Sequence, residues 1–548
     1  MTTRTTITAA TGAAALAATL LLSACAPGGS SAAGAGDPVE GGTLTWAIAA
    51  EPSCFAPAFH QLLSDRAVIR NYVDSLVYQE EDGSFTPWLA ESWEVSEDGT
   101  EYTFTLASDV TFTDGAALDA AAVKTNLDFT RDAANGSTYA GLLGSVADIA
   151  ADGQVLTITL SAPDSSLLDS LSSVALGIVS PEGVALGDEL CAIDSGLAGT
   201  GPFVLGDYTR GDQLALTRND DYTSAPESLD HGGPAYLESV TYKFMPEDSV
   251  RIGALESGQV DAISGIPALD VAGIEGNAEL QYLNGPSTSM PFGFTINADA
   301  ANAPWDDPAL RQAFRDSFDV DAIVESVYRG EVARAYSYVG SDSPEFDESL
   351  VDAWGNNPDG ANAQLDAAGW DERDDEGFRT KDGERLTLSV TYDSDSVRDS
   401  RDTVIEAVQD QAAKNVGIEV DFTTPTWAEV SADIADGTWS VYPGSFGKVD
   451  YANNVIGVWG GFFFAATDYQ PTGAIDAATA AATALTPEDR SAALRTVQQE
   501  LVIDEAIFVP VAESTFQIAA RTSVGGLGFD YSSANPDGNY GVWVAASE

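Results

Sequence analysis

The stretch that most restricts the fold runs from Leu386 to Phe422. Leu386, Leu388, Val390 and Tyr392 alternate with polar residues at the period of two of a strand. The period then changes: Val404, Ile405, Val408 and Ala412 fall on one face of a helix predicted from about Val397 to Asn415. Gly417 closes that helix and Ile418–Phe422 resumes a strand. A strand, a helical crossover and a second strand in so short a span argue a βαβ unit with parallel strands, because antiparallel neighbours need only a hairpin. Parallel sheets are covered by helices on their faces, so this part of the chain is α/β. At 548 residues the chain is also too long for one hydrophobic core, and two or three domains are expected.

A second unit, Pro87 to Phe129, is built from turns. Trp93 and Val95 read as one strand; Asp98-Gly99 supplies the positive-φ positions of a hairpin; Tyr102, Phe104 and Leu106 return. Val110 to Phe112 reads as a further strand stopped by Asp114-Gly115, and Asp119 caps a helix with Val123 and Leu127 on its apolar face. Asp152-Gly153 opens another strand pair.

Composition narrows function mainly by exclusion. With 85 acidic and 24 basic residues the formal charge is −61, which repels nucleic-acid phosphate and anionic lipid, so no nucleic-acid partner is expected. Such charge serves either as a solvated acidic surface or as an attractor of cationic ligands. Only His60 and His231 are present, too few for a His-rich metal site, and no metal or cofactor is expected. There is no GxxxxGK[ST] loop and no serine flanked by glycines as in a nucleophile elbow. Paired carboxylates of a hydrolase cannot be picked out among so many. No catalytic residue is assigned.

The first 24 residues carry Arg4 and then an apolar run to Leu22, a secretory signal by pattern. Leu22-Ser23-Ala24-Cys25 resembles the lipobox of bacterial lipoproteins, in which the cysteine thiol is acylated. Residues 26–40 are rich in Gly, Ser and Ala and read as a flexible tether. Cys54 and Cys191 remain, either bridged, as an exported chain permits, or two buried thiols.

Four blocks carry a resemblance to a known family. They are LAESW…S.DG..YTF.L…V.F.DG..L across Leu89–Leu118, Gly199-Thr200-Gly201-Pro202-Phe203 with Leu214–Tyr222, Leu255–Ile263, and Asn302–Val332. In order and spacing they resemble the family 5 extracellular solute-binding proteins of ABC importers, the oligopeptide, dipeptide and nickel type. Phe318-Asp319 departs mildly from the family's Ile-Asp. The resemblance implies an α/β, two-lobed, periplasmic-binding-protein-like (Venus-flytrap) fold with an extra α/β subdomain inserted in the first lobe. The expected limits are 1–24 signal peptide, 25–40 tether, 81–198 extra subdomain and 291–519 second lobe. The first lobe is expected to gather 41–80, 199–290 and 520–548, with crossings near Asn284–Asn297 and Val509–Arg521. It further implies a monomeric binding protein, not an enzyme, held outside the bacterial cell membrane by lipid on Cys25. Its partners are a peptide or another small solute and the importer's permease and ATPase subunits.

The same resemblance directs attention to Asp450-Tyr451. In peptide-binding relatives a matching Asp accepts the ligand's α-ammonium; here the family's following Pro is missing. Asp450 is read either as that acceptor or as an ordinary turn residue. Trp427, Trp439, Tyr442, Trp459 and Phe462-Phe463-Phe464 are aromatic candidates, two of which are expected at the ligand; Trp439, Tyr442, Trp459 and Tyr451 are taken as its wall. Cys54 and Phe55, in the loop Glu51–Phe59, are the facing wall. Arg398 and Arg401 either meet a ligand carboxylate or lie on an exposed helix face; His60 is a packed or surface histidine before it is a metal or heme ligand.

Overall fold

The computed structural model describes residues 37–545 apart from 61–62, 192–196, 230, 395, 448–449, 533–534 and 537. The signal peptide, Cys25 and the tether up to residue 36 lie outside the described residues.

The βαβ unit is present as Thr387–Thr391, Arg401–Asn415 and Glu419–Thr423, the strands pairing in parallel with Leu388 opposite Val420. The helix starts at Arg401, four residues later than its apolar pattern suggests. Asp399 and Ser400 adopt φ of 53° and 55°, the left-handed region that a right-handed helix cannot include. This unit sits in a five-stranded sheet ordered Glu419–Thr423, Thr387–Thr391, Val441–Phe446, Met290–Ile296, Phe508–Ala512. Met290–Ile296 is buried along its whole length and antiparallel to both neighbours.

The first lobe holds a seven-stranded sheet. Its order is Leu280–Asn284, Gln517–Arg521, Ala262–Ser264, Thr43–Ile48, Ser239–Phe244, Gln213–Arg218, Phe203–Thr209. Thr43–Ile48 lies centrally, parallel to both neighbours. Leu44, Trp46 and Ile48 enter one core while Ala47 enters another on the opposite face, so the strand is buried on both sides.

The chain passes between these sheets twice, over 285–289 and over 513–516, each time between a strand of one and a strand of the other. The expected lobe limits at 290/291 and 519/520 each fall within such a strand and move to the crossings. Periodicity cannot separate a strand that ends at a hinge from one that crosses it.

The inserted segment forms a four-stranded antiparallel sheet, Ala90–Val95, Glu101–Leu106, Val155–Leu160, Val146–Asp152, with its own core against the helix Ala120–Arg131. Gly99, Gly115 and Gly153 all have positive φ at the expected turns, and the Asp119 side chain accepts from the Ala122 N–H at 2.8 Å. Val110–Phe112 does not become a strand; only a single bridge, Thr111 to Ala117, forms there. The return to the first lobe is tight. A Cβ on Gly199 would stand 1.7 Å from the Tyr72 carbonyl oxygen, and the Gly201 N–H donates to that oxygen at 3.1 Å. No larger residue fits at position 199.

Candidate ligand-binding site

The inserted sheet and the second lobe enclose a cavity of about 610 Å³. On one side stand the turns around Gly83 and Gly99 and the segment Pro163–Ser165; on the other stand Asp450, Tyr451 and Leu485–Arg490; Thr288, at the first crossing, also lines it.

Three distant segments build its charged floor. Asp450 is buried and caps the short helix Tyr451–Asn454, accepting from the Asn453 N–H at 2.9 Å. Arg490 comes from the first turn of Pro487–Gln499. Its Nη2 is in direct contact with Asp450, its Nε donates to Glu345 at 2.5 Å and its Nη1 to Ser165 Oγ at 3.0 Å. Burial opposes the charge on Arg490, but Asp450 and Glu345 outweigh it and hold the guanidinium protonated well above its usual range. Burial pushes the Glu345 carboxyl up; Arg490 pulls it back, while Asp450 and Asp169 add to the rise. Two carboxylates thus share one guanidinium, with a third, Asp169, within electrostatic reach.

The facing wall is held by local bonds. Asp164 accepts from the Ser166 N–H (3.0 Å), Ser166 Oγ (2.5 Å) and Ser145 Oγ (2.6 Å). Tyr102 donates its hydroxyl to the Asp164 carbonyl at 3.1 Å, and Gln79 donates to Asp169 at 3.0 Å. Asn453 Nδ2 reaches across to Ser166 Oγ at 2.5 Å. Tyr451 donates its hydroxyl to the Thr288 carbonyl at 2.5 Å, and burial raises that phenol far above its ordinary pKa. The Oγ1 of buried Thr288 has no hydrogen-bond partner among the described residues.

Of the residues singled out from sequence, Asp450 and Tyr451 line this cavity. Trp439, Tyr442 and Trp459 instead fill the second lobe's core. Trp439 donates Nε1–H to the Phe463 carbonyl at 3.0 Å, Tyr442 donates to Asp393 at 2.8 Å, and Trp459 packs edge-on to Tyr338 and Phe508. Large aromatic side chains are what a core of this size needs, so their presence near Asp450 in sequence does not bring them to the cavity wall. Trp427 alone of the aromatic group is well exposed, at 42%. Cys54 and Phe55 are buried in the first lobe away from the cavity: Cys54 is disulfide-bonded to Cys191 and Phe55 packs edge-on to Tyr208. Arg398 is exposed, whereas Arg401 is buried and donates to Ser445 Oγ at 2.9 Å.

His60 has both ring nitrogens engaged. Nδ1 lies 2.8 Å from the Pro57 carbonyl, and Nε2 meets Arg66 Nε (3.1 Å) and the Tyr139 hydroxyl (2.9 Å). Burial, then Arg66, lowers its pKa to about 3, so it is neutral and packed. No group of three His, Cys, Asp or Glu suited to a metal ion occurs among the described residues.

Glu345, Arg490, Asp164 and Thr288 were not marked by sequence pattern. One signal was available for Arg490: a cation in the first turn of a helix opposes the helix dipole and asks for a tertiary partner.

Comparison with known proteins agrees with the fold. The family model for bacterial extracellular solute-binding proteins, family 5 (middle region), matches residues 84–459. A Brucella ovis protein named for peptide binding in an ABC transporter is 27% identical over 405 residues, covering 71% of each chain. NikA from Brucella suis, solved with Fe(III)-EDTA, superposes with a TM-score of 0.79 at 23% identity, covering 92% of this chain and 100% of that one. DppA from Helicobacter pylori, solved with the peptide STSA, gives a TM-score of 0.75 at 20% identity, covering 93% and 99%.

Proposed function

Because the chain belongs to the bacterial extracellular solute-binding proteins of family 5, we propose that it captures a short peptide between its inserted subdomain and second lobe and delivers it to an ABC permease. The observation that supports a peptide is the floor of the cavity. Among the described residues Asp450 and Glu345 bring two carboxylates to one guanidinium, and an α-ammonium adds a second positive charge there. Asp450 therefore acts as part of a pair, alongside Arg490, and Tyr451 fixes the loop that carries it by its bond to the Thr288 carbonyl.

A ligand touching both walls is bound fully only when they are together, so it shifts the population toward the closed form that a permease recognises. The chain makes and breaks no bond. In this reading a diacylated Cys25 holds the monomer at the outer face of the membrane, two acyl chains being enough for stable anchoring.

Native mass spectrometry of gently purified protein tests the reading. The expected result is a retained mass that sequences as a peptide. A retained sugar or metal chelate replaces the peptide with another solute. Tripeptides with a free amine should raise the melting temperature by mass action while their N-acetylated forms do not; equal shifts remove the ammonium site from Asp450 and Glu345.

A further inference from the structure

We propose that the cavity holds an apolar side chain of the bound peptide between Val95 and Leu485, and so selects short peptides with a large aliphatic residue after the amino-terminal one. This selectivity rests on the peptide reading above and goes beyond it. Of the eight large apolar side chains exposed among the described residues, Val95 (45%) and Leu485 (60%) both line this cavity, and they stand on opposite walls. Single exposed apolar residues are ordinary on a protein surface; two that line one enclosed space from separate bodies are not. Val95 ends the strand Ala90–Val95 opposite Tyr102, which lines the same wall.

The sequence accounts for the exposure of Leu485. Thr486 caps the helix Pro487–Gln499, its hydroxyl accepting from the Asp489 N–H at 3.1 Å, so Leu485 stands just before the cap. An apolar residue there ordinarily packs on the fourth residue of the helix. Here the fourth residue is Arg490, whose guanidinium is turned to Asp450, Glu345 and Ser165. Leu485 thus lacks its usual local partner, and the same spacing sets its apolar surface about one helical turn from the charged floor. A peptide whose α-ammonium lies at Asp450 and Glu345 brings its next side chains into that span, because an extended chain advances about 3.3 Å per residue.

Leu485 also touches the facing wall. A Cβ on Gly99 would stand 2.7 Å from Leu485 Cδ2 and 3.3 Å from Pro163 Cβ, and a Cβ on Gly83 would stand 3.5 Å from Pro344 Cγ. The walls therefore meet where a bare glycine turn of one reaches an apolar residue of the other, yet Leu485 keeps most of its surface uncovered. A ligand side chain set between Val95 and Leu485 takes that surface out of water together with its own. It touches both bodies, so the gain is complete only when they are together and adds to closure. Polar groups at one end orient the guest and apolar surface at the other supplies affinity, as small-molecule pockets generally divide the work.

The test titrates the full mature chain calorimetrically with Ala-Ala-Ala, Leu-Ala-Ala, Ala-Leu-Ala and Ala-Ala-Leu. The tighter of Ala-Leu-Ala and Ala-Ala-Leu is expected to bind about tenfold better than Ala-Ala-Ala, a gain that partial burial of the added carbons supplies. Leu-Ala-Ala should stay close to Ala-Ala-Ala. Val95→Ser and Leu485→Ser, both at exposed positions, should each weaken the preferred leucine peptide several-fold more than Ala-Ala-Ala, with little change in melting temperature. Equal affinities throughout, or a preference confined to Leu-Ala-Ala, overturn the selectivity and leave the peptide reading standing. Binding of no tripeptide at all overturns the peptide reading, and the selectivity with it. Variants that weaken every tripeptide by the same factor show that Leu485 only joins the walls, and overturn the subsite.

Discussion

Ser165 of the inserted subdomain donates its backbone N–H to the carbonyl of Ala482 in the second lobe, 2.7 Å away. Its hydroxyl also reaches the Ala481 and Ala482 carbonyls, at 2.9 and 3.1 Å. Both acceptors belong to the last turn of the helix Thr472–Ala482, where carbonyls have no partner within the helix. One body thus completes the helix end of the other, and separating them returns those carbonyls to water.

If that contact holds the two bodies together, Ser165→Ala should shift the equilibrium toward the open form. A single such hydrogen bond is worth about 1 kcal/mol net, a roughly fivefold change in the open-to-closed ratio. Small-angle X-ray scattering of ligand-free protein should report a larger radius of gyration for Ser165→Ala, and a still larger one for Ser165→Pro, which also lacks the N–H. Superimposable curves for all three proteins would remove the clasp.

Arg490 offers a second measurement. Its removal strands buried Asp450 and half-buried Glu345, so Arg490→Leu should cost about 3 kcal/mol of unfolding free energy in urea at neutral pH. The loss should shrink in mild acid, where the Glu345 carboxyl, already pushed up by burial, takes up a proton. The double variant Arg490→Leu/Asp450→Leu should recover part of it. A single variant as stable as the wild type would mean that water already screens the cluster.

The Cys54–Cys191 disulfide closes a span of 137 residues that includes the whole inserted sheet. By the chain-entropy argument such a link stabilises the folded state by about 5 kcal/mol, chiefly by restricting the unfolded chain. Unfolding in urea with reductant, or of Cys54→Ser/Cys191→Ser, should show a clearly lower midpoint. Coincident midpoints would show that the bridge contributes nothing to stability.

Local chemistry made much of this fold legible in advance. Asp119 and Asp307 each cap their helix by accepting an N–H two or three residues on, and the Asp-Gly pairs at 98, 114 and 152 turn where positive φ is needed; all depend on immediate neighbours alone. The helix start at Arg401 was not legible, because its delay comes from the left-handed Asp399 and Ser400 and not from apolar spacing. The cavity was legible only at Asp450 and Tyr451, through family resemblance. Glu345, Asp450 and Arg490 lie on three separate segments, and nothing in any one of them states that they meet. Trp439, Tyr442 and Trp459 illustrate the converse: residue type alone does not tell a core aromatic from one facing a ligand.

The last prediction concerns Glu513, in the second crossing between the sheets. It is buried; its Oε1 accepts from the Ser341 N–H at 3.3 Å and its Oε2 has no partner among the described residues. Burial pushes its pKa from 4.5 up to about 8; the bonds from Ser341 oppose the rise and Asp342 adds to it. Between those two pH values the folded protein keeps a proton that the unfolded chain has released. Stability from this group is therefore full in mild acid and declines as pH rises toward 8. His60, lowered to about 3, slopes the other way: its contribution is present above 6.5 and is lost as pH falls toward 3. Glu513→Gln keeps the shape and removes the charge, so it should raise the melting temperature at pH 8, leave it nearly unchanged at pH 5, and flatten the profile between. The difference at pH 8 should be on the order of a few kcal/mol. Parallel profiles for variant and wild type across pH 5 to 8 would show that the crossing carries an ordinary, ionised carboxylate.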